Sequence, residues 1–161
     1  MNEKDLETHL VKMVKEFASK RNDAEKHIYE QHEAQQKARP SFSSEQERVT
    51  WEATHTEPDL FEKFSKLLAP LFDTYCTSKK RVYGGTHGYS FGFPVKFNGI
   101  ENPVGTGVEL KNKNRAEIYV KTSTQFQDEY LFVLLCKTNE WKIDSYKNRR
   151  YGNEKWSNEI L

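Results

Sequence analysis

The spacing of apolar residues changes part-way along this chain, and that change restricts the fold more than any other feature. Up to Cys76 the apolar positions recur at helical intervals; from Lys80 onward they fall in short runs broken by glycine, asparagine and proline. The last clear run is Trp141-Lys142-Ile143-Asp144-Ser145-Tyr146, and no set of catalytic residue types lies near it. A helical half feeding an antiparallel half predicts an α+β fold with helices packed on a curved sheet.

In the helical half, Leu6, Leu10, Met13, Val14 and Phe17 make one stripe. The helix runs on to Ala38 through polar residues of good propensity, where only Ala24 and Ile28 keep the stripe. Arg39-Pro40 ends it, because the residue before proline is pushed out of helical geometry. Residues 1–40 are therefore expected as a long, partly polar helix. In 41–56, Val49, Trp51 and Ala53 alternate like a strand, yet Ser44-Glu45-Gln46-Glu47 can open a helix, and helix is the preferred reading. Thr56-Glu57-Pro58-Asp59 predicts a helix start with a threonine cap and proline in the first turn. Its stripe is Leu60, Phe61, Phe64, Leu67, Leu68, Leu71, Phe72 and Tyr75, with Pro70 inside as a kink. Burying each Leu or Phe of such a stripe stabilises by roughly 1.5–3 kcal/mol.

In the second half, Arg81-Val82-Tyr83 reads as a strand broken by Gly84, Gly85 and Gly88. Tyr89, Phe91 and Phe93 alternate with Ser90 and Gly92, which predicts a strand with Phe91 and Phe93 buried. Residues 94–107 read as a loop, 116–122 and 130–137 as strands, and Thr138-Asn139-Glu140 as a hairpin turn into 141–146. Trp156, Ile160 and Leu161 are expected to tuck back on the core. At 161 residues the chain fits one domain, 1–161, with 80–161 as its sheet region.

The charge balance bears on function. Lys plus Arg number 25 and Asp plus Glu 24, a net charge of +1, which argues against a dedicated nucleic-acid binder. With 2 cysteines and no CxxC pattern, neither a disulfide framework nor a zinc site is expected. His27 and His32 are five apart and do not share a helix face as metal ligands would, so no metal or cofactor is expected. No Ser-His-Asp set, nucleophile elbow or phosphate-cradling glycine motif occurs. The charged start of the chain lacks a signal-peptide apolar region, and no apolar run reaches the roughly 18 residues of a membrane span. A cytoplasmic protein without membrane attachment is expected.

Two groups of residues remain as candidates. Asp144, at a strand end, could act as a general base in a cavity also lined by Tyr83, Tyr89 and Tyr146. It has no recognisable acid or oxyanion-binding partner, so a structural role is the preferred reading. The other group is aromatic and basic. Tyr83, Tyr89, Phe91, Phe93 and Phe97 cluster among glycines near Arg81, and aromatic and arginine side chains dominate protein interfaces. Alternation sends half of such rings to the core, and basic runs also serve as charged sheet edges. The candidate contact residues are Arg81, Tyr83, His87, Tyr89, Phe97, Arg149 and Arg150.

The succession Phe72-Asp73-Thr74-Tyr75-Cys76-Thr77, Lys79-Lys80-Arg81-Val82-Tyr83-Gly84 and Ser90-Phe91-Gly92-Phe93-Pro94 is distinctive. With Trp141-Lys142-Ile143-Asp144-Ser145 and Glu154-Lys155-Trp156 before Leu161, it resembles the nuclear transport factor 2-like fold over residues 60–161. More narrowly it resembles the immunity proteins of that fold, which neutralise polymorphic toxins in bacterial competition. The resemblance implies a cone of helices on a mostly antiparallel sheet, and a non-catalytic protein binding one cognate toxin domain tightly in the cytoplasm. It carries no binding residues across. The alternative is a small-molecule-binding protein, or an isomerase or dehydratase of the same fold, with Asp144 as base. A third reading is a scaffold that forms a homodimer through its sheet.

Overall fold

The computed structural model describes residues 1–87 and 90–161, and for His87 the backbone alone. The first helix, α1, spans Glu3–Ala38, and the side chain of Asn2 caps it by accepting from Asp5 N at 2.8 Å. Its inward stripe is Leu10, Val14, Phe17, Ala18 and Ile28, all fully buried. The same face also buries Arg21, Asn22 and Glu25, in a stretch whose sequence reads as solvated. They are affordable inside because each finds a partner: Arg21 pairs with Glu25, and Asn22 bonds to backbone.

Helix α2, Glu45–Thr54, is capped by Ser44 and buries no residue. It is held by ion pairs from Arg48 to Glu45 and Glu52 and from Arg39 to Glu52. Helix α3, Leu60–Tyr75, starts later than the Thr56 reading predicts. Asp59 is the cap, accepting from Phe61 N at 3.1 Å and Glu62 N at 3.2 Å, and Pro58 lies outside the helix. Leu60, Phe64, Leu68, Phe72 and Tyr75 face the core, while Phe61 and Leu67 are 52% and 40% exposed.

The sheet runs β1 (Gly105–Asn112), β2 (Arg115–Lys121), β3 (Glu129–Lys137), β4 (Glu140–Arg149) and β5 (Ser157–Glu159) in spatial order, every neighbour antiparallel. Its register stacks Ile118, Phe132 and Tyr146 across three strands on the face toward α1 and α3. A register shift at Val133/Leu134 interrupts the β3–β4 ladder, a device that bends a sheet. Thr138 and Asn139, at φ 52° and 61°, form the two-residue turn before β4, which suits a strand pair of right-handed twist. The fold is α+β as expected.

Three sequence expectations about strands fail. β1 starts inside the stretch read as a loop, because its alternation of glycine, threonine and charge hides the period. Arg81-Val82-Tyr83 forms a turn, and residues 90–93 form no strand; Tyr89 lies outside the described residues. Glu25 instead draws this second segment onto α1, its carboxylate accepting from Gly92 N at 3.0 Å and Lys96 N at 2.8 Å. Phe93 is consequently 83% exposed, not buried, and Phe91 only half-buried.

The same segment fills the cone. Phe97 is fully buried, its ring centroid 5.0 Å from Tyr146, 5.4 Å from Phe132, 5.8 Å from Tyr130 and 6.1 Å from Phe17. Tyr146, expected to line a cavity, packs against this ring. Leu161 tucks onto the core as expected, whereas Ile160 is 43% exposed.

Candidate protein-binding surface

Residues 77–86 leave the end of α3 and cross toward β4 as a loop fixed at many points. Thr77 N donates to Ile143 O at 2.9 Å, and Gly85 N donates to Leu161 O at 2.6 Å. A Cβ on Gly84 would lie 2.5 Å from Leu161 O, so only glycine lets the loop pass so near that backbone. Arg81 is the centre of the loop. Its guanidinium donates to Thr77 O at 2.9 Å, Lys79 O at 3.2 Å and Asp144 O at 3.0 Å, and lies over the Phe72 ring at 5.5 Å. Burial pushes its pKa below the ordinary arginine value. Arg81, a contact candidate from sequence, therefore builds the loop and is turned inward.

What the loop presents is its tip. Val82 is 58% and Tyr83 74% exposed, and Tyr83 adopts φ +62°, a conformation rare for a bulky residue. Beneath the tip is a cleft of about 520 Å³ walled by Phe72, Asp73 and Cys76 of the α3 end and by the loop itself. Val82, exposed beside Tyr83, is not among the contact candidates read from sequence; its position between basic residues and glycines is the signal that could have added it.

Asp144 sits under this loop. Its carboxylate accepts from Thr77 Oγ1 at 2.9 Å and Lys79 Nζ at 3.0 Å. Burial favours its protonation, but those two hydrogen bonds and the charges of Lys79 and Arg81 outweigh it and hold its pKa below the usual value. A carboxylate whose pKa is lowered and whose oxygens are already engaged by Thr77 and Lys79 is a weaker base than a free one. Cys76 is no better as a nucleophile, since burial pushes its thiol up to about 12.

Arg149 and Arg150 stand at the other end of β4. Arg149 Nε donates to Glu129 at 2.7 Å, and its guanidinium stacks 4.2 Å from the Trp156 ring, while Tyr119 donates to the same carboxylate. Arg150 Nε donates to Asp128 at 3.1 Å and lies 5.0 Å from the Phe126 ring. Phe126 is 48% and neighbouring Tyr151 78% exposed, so arginines and rings form a second patch there. Of the other candidates, Phe97 is excluded by its burial; Tyr89 and the side chain of His87 lie outside the described residues.

The sequence profile of the NTF2 fold immunity proteins matches residues 41–159. The chain belongs to that family. The matched span takes in α2, α3, the 77–86 loop and the whole sheet, and the bent sheet under α1 and α3 is the family's NTF2 fold. The chain is also 29% identical over 91 residues to the "Immunity protein RhsIA" of Dickeya dadantii (strain 3937). That match covers 56% of this chain and 65% of the relative, so it spans a little under two thirds of the relative's length. No solved structure gives a significant match. Among the described residues, no group of three or more His, Cys, Asp or Glu could hold a metal ion, and no helix is long and apolar enough to cross a membrane.

Proposed function

We propose that this protein neutralises one cognate toxin domain in the cytoplasm by stable, stoichiometric binding as a single-domain unit, without chemistry of its own. The carrying observation is the pre-ordered loop 77–86, which holds Val82 and Tyr83 in the open above a cleft while Phe97 fills the cone. A contact already rigid before binding loses little entropy on association, and tight complexes depend on that. The patch around Arg149, Arg150 and Trp156 adds aromatic and arginine surface of the kind found in interface hot spots. A stable pair needs roughly 1,200–2,000 Å² of buried surface, more than the tip alone offers.

Membership of the immunity family and the printed name of the relative support this reading. So does the near-neutral charge of +1, which gives no general affinity for nucleic acid. The test is co-expression with the toxin domain encoded in the adjacent reading frame. Growth rescue with co-purification at equal stoichiometry is expected. Rescue without any complex would point to catalysis instead.

A further inference from the structure

The two edges of the sheet are treated differently. At one end the sheet closes with β5, three residues long, a length that blunts an edge. At the other, β1 offers eight residues, and among the described residues no strand pairs with its outer side. The residue before β1 and the first four of the strand, Val104-Gly105-Thr106-Gly107-Val108, carry no charge and read the same in both directions. Val104 is 59% exposed and Thr106 is exposed.

The fold does not require the two glycines. A Cβ on Gly105 would approach Lys121 no nearer than 3.9 Å, and one on Gly107 would approach Tyr119 no nearer than 3.9 Å, both ordinary contacts. Glycine weakens a strand interior, and close approach by another backbone is one of the reasons it is found there. Beside Thr106, Gly107 and Val108 a groove of about 390 Å³ opens toward Glu7, Thr8 and Val11 of α1, which leaves room for side chains of an added strand.

We propose that β1 is a dimer edge: two copies of this chain pair antiparallel about a two-fold axis through Thr106. An isologous contact must be self-complementary, and a palindromic strand is. In this register Thr106 meets Thr106, Val104 meets Val108, and Gly105 meets Gly107. Threonine pairs and β-branched pairs are favourable across strands. The segment is bounded by Pro103, which has no amide to donate, and by Glu109, where the charges of Glu109, Lys111, Arg115 and Glu117 begin. Five residues of pairing plus the groove make a small interface, so the dimer forms and dissociates with concentration.

The test needs only this protein. Sedimentation velocity from micromolar to near-millimolar concentration should show the mass rising toward twice that of the chain. Thr106→Cys, in a Cys136→Ser background, should oxidise to a cross-linked dimer, because Cβ atoms across such a pair lie roughly 4.5–5.5 Å apart. Lys111→Cys, out of register, should not. If Thr106→Cys fails to fold, hydrogen exchange of 104–108 in the unaltered protein decides, with protection expected only at high concentration. A monomer throughout with no Thr106→Cys cross-link overturns the proposal. So does protection of 104–108 that appears only with the toxin domain bound, which would assign the edge to a strand of the toxin.

Discussion

Asn22 and Phe97 hold each other through two hydrogen bonds: Phe97 N donates to Asn22 Oδ1 at 3.0 Å, and Asn22 Nδ2 donates to Phe97 O at 2.8 Å. One side chain on α1 thus satisfies the backbone donor and acceptor of a buried residue that has no strand to pair with. With Glu25 holding Gly92 and Lys96, it sets the path of the segment that fills the cone. Asn22→Leu leaves Phe97 N without its acceptor and Phe97 O with only its bond from Ile100 N at 3.1 Å, so we predict a loss of about 1–3 kcal/mol in urea unfolding. An unchanged midpoint would mean that the segment keeps its place by ring packing alone.

Phe97→Ala removes the ring common to Phe17, Tyr130, Phe132 and Tyr146. A loss of about 3–5 kcal/mol is expected. Because the ring is fully buried, affinity for the toxin, measured by calorimetry below the melting temperature, should stay within twofold of the parent. A large drop in affinity in a folded variant would place the binding surface at the mouth of the cone.

These two residues show where sequence reading succeeds and where it stops. The α3 stripe and the strands around Phe132 and Ile143 were legible because burial there follows one period and uses apolar side chains only. The burial of Arg21, Asn22 and Glu25 is not legible in the polar part of α1, because hydropathy records the cost of burying them and not the partners that offset it. Phe97 reads from sequence as a contact candidate with Tyr83 and Tyr89; its buried position is held by Asn22, 75 positions away in the chain. Arg81 reads from sequence as a contact candidate, and only the fold shows that its donors turn toward Thr77 and Asp144.

The loop yields a paired prediction. Tyr83→Ala should weaken toxin binding by about 2 kcal/mol, roughly thirtyfold, with the melting temperature unchanged, as for an exposed hot-spot ring. Arg81→Lys should weaken binding as well, but by loosening the loop, because one ammonium cannot span carbonyls that the planar fork of arginine reaches together. Hydrogen exchange should therefore rise across 77–86 in Arg81→Lys and not in Tyr83→Ala.

Asp144 should matter to stability and not to protection. Its pKa is depressed in the folded state, so the ionised form adds stability above the unfolded carboxylate range, and that contribution fades as pH falls through the folded pKa. Asp144→Asn is expected to lose roughly 1 kcal/mol at neutral pH. The gap to the parent should close in acid, while growth rescue persists. Loss of rescue in a well-folded Asn variant would return the carboxylate to a functional role.

Lys96 titrates with the opposite sign. Its Nζ donates to Ile160 O, and the ammonium lies 5.5 Å from the Tyr146 ring. Burial first, then the nearby charge of Arg21, lower its pKa to about 8 from 10.5, against the pull of Glu25 and Glu159. Below about 8 the side chain is protonated in both folded and unfolded chains, so the charge imposes a constant penalty on the folded state. Between 8 and 10.5 the folded protein gives up the proton first, the unfolded chain binds more protons, and stability from this group rises with pH. Lys96→Met has no proton to lose. Urea midpoints taken through this window should therefore move in favour of the parent relative to Lys96→Met as pH increases, with the buried tyrosines common to both chains. A difference that stays flat across the window would show that the ammonium reaches water in the folded protein.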